Sequence, residues 1–214
     1  FKVPRQPGSV RLPDGVVVPD GAFFHRNFLF NPDVRPYIAA ANITAFVPCG
    51  GFKDTINGEN VAQFMDLFRE LRVIVEGANV FFDDTSREHI ARQTCILHIK
   101  DSTANKGGVT SSAIAEVLSA ILLGDSYERF LVHDAHTRSG LIRSVLDLIA
   151  ANAAAETRVL LALHERTGAP LYELSVRTSE ALLELQQHLY ARLDDIMADR
   201  DLVRSLIAAY VPEV

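Results

Sequence analysis

Residues 96–112, ILHIKDSTANKGGVTSS, carry the reading on which the fold depends. A β-branched apolar run over 95–99 breaks into Asp101-Ser-Thr-Ala-Asn105 and passes through Gly107 and Gly108. It then enters a segment whose apolar positions, Val109, Ala113, Val117 and Ala120, recur at helical spacing. The pattern predicts a buried strand, a tight polar turn and the start of a helix. Paired glycines let the main chain approach a ligand closely, and the free N–H groups opening the following helix favour an anion. Thr110, Ser111 and Ser112 are expected in the first turn, where a hydroxyl caps the helix or touches a bound carboxylate.

Two earlier stretches repeat the arrangement. Residues 43–51, ITAFVPCGG, and 72–79, RVIVEGAN, are short apolar runs that stop in small or polar residues. In an open parallel sheet the ligand lies at the carboxyl ends of the strands, so three strands ending in CGG, EGAN and STANKGG would face one crevice. Between them, 58–70 places Val61, Phe64, Met65 and Phe68 on one helical face, and 84–93 also reads as helix. With strands at 43–47, 72–76 and 95–99 and a helix at 108–123, the alternation implies parallel βαβ units with right-handed crossovers. No G-x-G-x-x-G follows a strand and no acidic residue lies about 20 residues beyond one, so only the second half of a dinucleotide fold is expected.

Toward the N-terminus, Val10 to Leu12 and Val16 to Val18 flank a Pro-Asp-Gly turn, which predicts a β-hairpin laid on the sheet domain. Residues 33–41 suit a short helix, with Pro36 tolerated only near its first turn. From about Gly124 the composition shifts to Ala, Leu, Arg and Glu, and no further strand is expected. Leu141, Val145, Leu148, Val159 and Leu163 fit one long amphipathic helix stopped by Thr167-Gly168-Ala-Pro170. Leu182, Leu185, Leu189, Leu193 and Ile196 keep a spacing suited to packing on another helix.

The 214 residues are 48% hydrophobic, enough for a sizeable core in one or two domains. A net charge of −6 argues against a nucleic-acid partner. No uninterrupted apolar run approaches the ~18 to 20 residues of a spanning helix, so no membrane partner is expected. Cys49 and Cys95, far apart, make neither a disulfide framework nor a zinc knuckle and suit a reducing compartment, the cytoplasm or, in a eukaryote, the mitochondrial matrix. The chain opens on Phe1 and reads as a piece of a longer protein. Among charged candidates, Lys100-Asp101 reads as a strand-end ion pair and Glu76 as structural. Lys106 is either a cation near a ligand carboxylate or a solvated loop lysine. His133-Asp134-Ala-His136 and His164-Glu165 lack a third ligand at a metal-binding spacing, so no metal is assigned.

FVPCGG, IVEGANVFF and KDSTANKGGVTSS, in this order and at these intervals, resemble the NAD-specific glutamate dehydrogenases of the large-subunit type. The resemblance covers most of the chain and weakens after about residue 170. It implies a partial Rossmann-like α/β sheet with an N-terminal hairpin, followed by an all-α region. The expected parts are 1–42 (hairpin and connecting segment), 43–123 (second half of a dinucleotide-binding domain) and 124–214 (helical region). The implied cofactor is NAD. Pro48, Cys49, Gly50 and Gly51 would lie along it, Asn79 would contact the nicotinamide ribose region, and Asn105 would hold the carboxamide beside Gly107 and Gly108. Ser112 would bind the side-chain carboxylate of glutamate, with Val109 against the substrate stem. The implied reaction is oxidative deamination of L-glutamate to 2-oxoglutarate and ammonia. Its lysine base and acid-base carboxylate belong, in that family, to a substrate domain upstream, so no catalytic residue is assigned. The implied partners are the N-terminal part of the same polypeptide and further copies in a homo-oligomer. A non-catalytic assembly module using helices 138–198 is the alternative, which the joint presence of Asn79, Asn105 and Ser112 disfavours.

Overall fold

The computed structural model describes residues 7–11, 15, 17–32, 34–92 and 96–210. Leu12, Pro13, Asp14 and Val16 of the hairpin, Asp33, Gln93, Thr94 and Cys95 lie outside them. The chain divides into two compact units, Phe1–Asp101 and Ser102–Val214. The compositional change at 124 therefore falls inside the second.

In the first unit, β1 (Val10–Arg11) pairs antiparallel with β2 (Val17–Val18), Val10 opposite Val18, as the turn chemistry predicts. A helix that the sequence reading did not foresee, α1 (Gly21–Arg26), follows. The Asp20 carboxylate caps it, accepting the Phe23 N–H at 2.7 Å. Helix α2 (Arg35–Ala40) carries Pro36 in its first turn, where no N–H is needed.

Strands β3 (Ala45–Phe46), β4 (Val73–Val75) and β5 (Leu97–Ile99) form one parallel sheet in that order. Ala45 sits beside Val73, and Val73 beside Leu97. The crossovers are α3 (Val61–Leu67) and α4 (Asp84–Ala91), each within the expected segment and shorter than it. The face expected on α3 is the one that packs: Val61 and Phe64 are buried, as is Phe68 just past its end, and Met65 joins from the margin. Phe64 meets Phe68, Phe46 and Phe82 with ring centroids 4.8, 5.2 and 5.6 Å apart, two of them edge-on. This aromatic cluster, with Ile56, Ile74 and Ile90, is the core of the unit.

The stretch after β5 differs from the expected polar turn. Asp101–Ala104 is itself a helical turn, α5, followed after Asn105-Lys106 by α6 (Gly107–Ser111). The helix continues through a π-helical segment, Ser112–Leu118, into α7 (Ser119–Leu123). The Ser119 hydroxyl donates to the Ile114 carbonyl at 2.8 Å. Ser112 is consequently not in a first turn. Its N–H bonds the Gly108 and Val109 carbonyls, and the Thr110 N–H bonds the Lys106 carbonyl at 3.0 Å, so neither backbone donor is free for an anion.

Helix α8 (Ala135–Thr167) runs 33 residues. Asp134 starts it, accepting from the His136 and Thr137 N–H groups at 2.9 and 3.2 Å. Gly168 ends it at φ 71°, its N–H on the His164 carbonyl at 2.8 Å. Leu141 and Val145 pack with Ile114, as their spacing predicts, but Val159 is exposed and its neighbour Leu160 is buried instead. Helices α9 (Leu171–Tyr190), α10 (Leu193–Ala198) and α11 (Arg200–Tyr210) complete the described chain.

One expectation about membranes needs correction. The helical stretch Asp101–Ser126, 26 residues, is long and apolar enough by length and composition to cross a bilayer, although no uninterrupted apolar run within it is. In the structure its Ile114 is buried against Leu141 and Val145.

Phe64→Ala should lower unfolding free energy by about 3 to 5 kcal/mol, because a fully buried ring leaves a cavity among other rings. Leu185→Ala, at an exposed position, should change it by less than about 0.5 kcal/mol. Urea denaturation of both variants checks the pair; equal losses would place the core elsewhere.

Candidate functional site

The carboxyl ends of β3 and β4 meet. After β3 the chain turns through Pro48, which is buried, and Cys49, Gly50 and Gly51, which are exposed. Gly51 has φ 141°, and a Cβ there would lie 2.7 Å from the Phe81 ring. Only glycine fits. After β4, Gly77 packs so closely that a Cβ would come within 3.1 Å of the Pro48 carbonyl oxygen and 3.4 Å of Cys49 Sγ. The two turns thus touch through backbone. Beside them opens a groove of about 660 Å3 lined by Pro48 to Gly51 with Phe52, Phe81 and His25, within the size range of ligand clefts.

Asn79 is exposed in the turn that leaves β4. Its neighbour Val80 has φ 46°, an outlier for a β-branched residue. The Val80 N–H is held by Asp101 Oδ2 at 2.8 Å and its carbonyl accepts the Asp54 N–H at 2.7 Å.

Beneath this turn lies a buried ionic cluster. Arg87, 3% exposed, gives Glu76 two charge-assisted hydrogen bonds, Nε to Oε1 at 2.9 Å and Nη2 to Oε2 at 2.7 Å. A third runs from Nη1 to Asp84 at 2.9 Å, and Nη2 lies 3.7 Å from Asp101 Oδ2. His98 Nε2 sits 2.7 Å from Glu76 Oε1, its ring edge-on to Phe82, while its Nδ1 is buried without a partner among the described residues. Lys100 donates to Asp101 at 2.9 Å, the expected strand-end ion pair. Burial works against the charge on Arg87, yet Glu76, then Asp101 and Asp84, outweigh it and raise its pKa above the ordinary value. Leaving one member of such a cluster unpaired costs about 3 to 5 kcal/mol.

The remaining candidates lie in the second unit along one helical stretch. Asn105 is half-buried between α5 and α6, Gly107 and Gly108 are helical with room for a Cβ, and Val109 and Ser112 are exposed. The glycines therefore answer no demand of the backbone. The Ser112 hydroxyl donates to Glu116 at 3.3 Å. Lys106 stays partly solvated, its side chain 41% exposed. Its ammonium pairs with Glu156 of α8 at 2.5 Å. Glu156 also accepts from Thr103 at 3.0 Å, and Thr103 lies 2.8 Å from the Ser175 hydroxyl of α9. His164 Nδ1 is 2.7 Å from the Ala169 carbonyl, and Asp134 is a helix cap. No group of three metal-binding side chains converges among the described residues.

The sequence reading missed Arg87 and His98. A signal was present: Arg87 lies one turn before buried Ile90 and one after the cap Asp83, so the charge had to point inward.

The sequence model of the glutamate/leucine/phenylalanine/valine dehydrogenase family matches residues 26–158. Glutamate dehydrogenase 2 of Dictyostelium discoideum is 34% identical over 100% of this chain and 20% of its own length. The NAD-specific glutamate dehydrogenase of Neurospora crassa is 31% identical over 96% of this chain and 19% of its own. The Saccharomyces cerevisiae protein of that name is 32% identical over 91% and 17%. The chain spans about a fifth of the length of these curated relatives.

Burial opposes ionisation of Asp101, but the Lys100 hydrogen bond, the Val80 N–H and the charges of Lys100 and Arg87 hold its pKa below the ordinary value. With the folded-state value below the unfolded one of about 3.9, this stabilisation is complete above that pH and is lost as pH falls through the folded value. Asp101→Asn should therefore be less stable than the parent near neutrality, and the gap should close on acidification. Denaturation midpoints measured from about pH 7 to about pH 2 check this; a constant gap would contradict it.

Proposed function

The chain belongs to the glutamate/leucine/phenylalanine/valine dehydrogenase family, and we propose that it supplies the cofactor-side wall of the cleft in a larger NAD-dependent glutamate dehydrogenase. The observation that carries this reading is the junction of the β3 and β4 turns at the carboxyl edge of a parallel sheet. Gly51 is needed there, Gly77 packs tightly on the Pro48 carbonyl, and Asn79 is exposed. NAD, when bound, accepts a hydride from the α-carbon of glutamate. The chain's own part is to bind and orient. Pro48 to Gly51 offer a smooth backbone surface beside an apolar groove, and Asn79 would offer an amide from the turn after β4. Asn105, Gly107 and Gly108 would fix the carboxamide, so that one ring face meets the substrate. Ser112 and Val109 would meet glutamate itself, the serine through its hydroxyl alone, since its backbone N–H is already bonded.

No residue of this chain is assigned to activate water or hold the α-carboxylate. The substrate pair, L-glutamate and 2-oxoglutarate, would be held against it by another part of the protein. A second role in assembly is favoured by Leu182, Leu185, Leu189 and Leu193, all exposed on the C-terminal helices.

Purified residues 1–214 should show no glutamate-dependent reduction of NAD; measurable turnover would overturn the division of labour. In the intact protein, Asn105→Ala should raise the NAD requirement and lower turnover, by about 1 to 3 kcal/mol for a lost amide contact. Unchanged kinetics would remove Asn105 from the site. Ser112→Ala should lower kcat/KM for glutamate roughly tenfold while stability changes by less than about 0.5 kcal/mol, since Ser112 caps no helix start. An unaltered preference for glutamate over norvaline would end its substrate role.

A further inference from the structure

We propose that Arg87 is a positioning residue for Asn79, acting through the turn that carries it; this rests on the reading of Asn79 as a cofactor contact. The guanidinium reaches both ends of that turn. Its Nε and Nη2 hold Glu76, the residue immediately before Gly77-Ala78-Asn79. Nη2 also lies 3.7 Å from Asp101 Oδ2, the oxygen that accepts the N–H of Val80 immediately after Asn79. One buried cation thus ties the entry and the exit of the segment 77–80.

The backbone inside that segment is strained, and the strain locates the function. A valine at φ 46° persists only where its surroundings over-determine it. Here the determinants are the Asp101 acceptor on one side of Val80 and the Asp54 N–H, 2.7 Å from the Val80 carbonyl, on the other. A cluster serving stability alone would gain nothing by holding a β-branched residue in the left-handed region. Asn79 gains a fixed direction from it. The bonding is two-pronged and planar, which a lysine ammonium cannot reproduce while keeping the charge.

The test uses the intact, full-length protein, with NAD and glutamate varied separately in Arg87→Lys, Asn79→Ala and the double variant. Arg87→Lys is expected to raise KM for NAD about tenfold while KM for glutamate stays within about twofold. Asn79→Ala is expected to raise KM for NAD, and the double variant should be no worse than Asn79→Ala, because two residues acting through one contact are not additive. Arg87 serving structure alone would lower the melting temperature and leave KM for NAD of the folded enzyme unchanged, which overturns the proposal. A rise in Asn79→Ala without one in Arg87→Lys overturns it while leaving the cofactor reading intact. No rise in Asn79→Ala removes both. Should Arg87→Lys fail to fold, Asp101→Asn replaces it, with a smaller rise in the same KM expected and an unchanged value overturning the proposal.

Discussion

Arg87 and Glu76 form a fully desolvated ion pair under the carboxyl edge of a three-stranded parallel sheet, and the shape of that edge depends on it. Each charge taken alone into this apolar setting would be costly, so the pair persists only with its further bonds complete. They are supplied by Asp84 one turn earlier on α4, by Asp101 beyond β5 and by His98 within β5. Helix α4 is thereby fixed to the ends of β4 and β5 by directional bonds, while Ile90 and the aromatic cluster fix it by contact. Apolar contact alone tolerates small sliding. A forked guanidinium on a carboxylate does not. The exposed turn bearing Asn79 inherits this rigidity, and with it the strained geometry of Val80.

The second unit uses the same device in a milder form. Thr103, Lys106, Glu156 and Ser175 join three helices through a half-buried polar network rather than through large side chains. Its effect is to register the helical stretch that carries Asn105 to Ser112 against α8 and α9. Side-chain hydroxyls and one ion pair specify axial position where a stripe of leucines would leave it loose. Both candidate ligand-facing segments, one in each unit, are thus underpinned by polar bonds and not by packing alone.

The alternation of strand and helix, the order of the three strand ends and the buried face of α3 were legible because they follow from period and turn chemistry, which are local. So was the stop of α8 at Gly168. The path from Asp101 to Ser112 was not. Asp-Ser-Thr-Ala-Asn has the composition of a turn, but Thr103 finds Glu156 and Ser175, 53 and 72 residues away, and that tertiary demand winds the segment into helix. Ser112 lies outside a first turn because its own helix, α6, starts at Gly107, five residues before it. The Arg87 cluster was half legible: an arginine on the inward face of α4 and a glutamate closing a buried strand each announce a buried charge, but nothing in the sequence pairs them. Asp20 capping α1 stands between, a local signal hidden in a proline-rich region that reads as loop.

The central claim is that the carboxyl edge of this sheet, with Asn79 held at its rim, faces the cofactor. Hydrogen–deuterium exchange on the intact protein, with and without saturating NAD, addresses it most directly. NAD is expected to slow exchange over 48–52 and 77–81 and to leave 69–72, at the opposite ends of the strands, unchanged. Unaltered exchange over 77–81, or protection confined to 171–210, would contradict it.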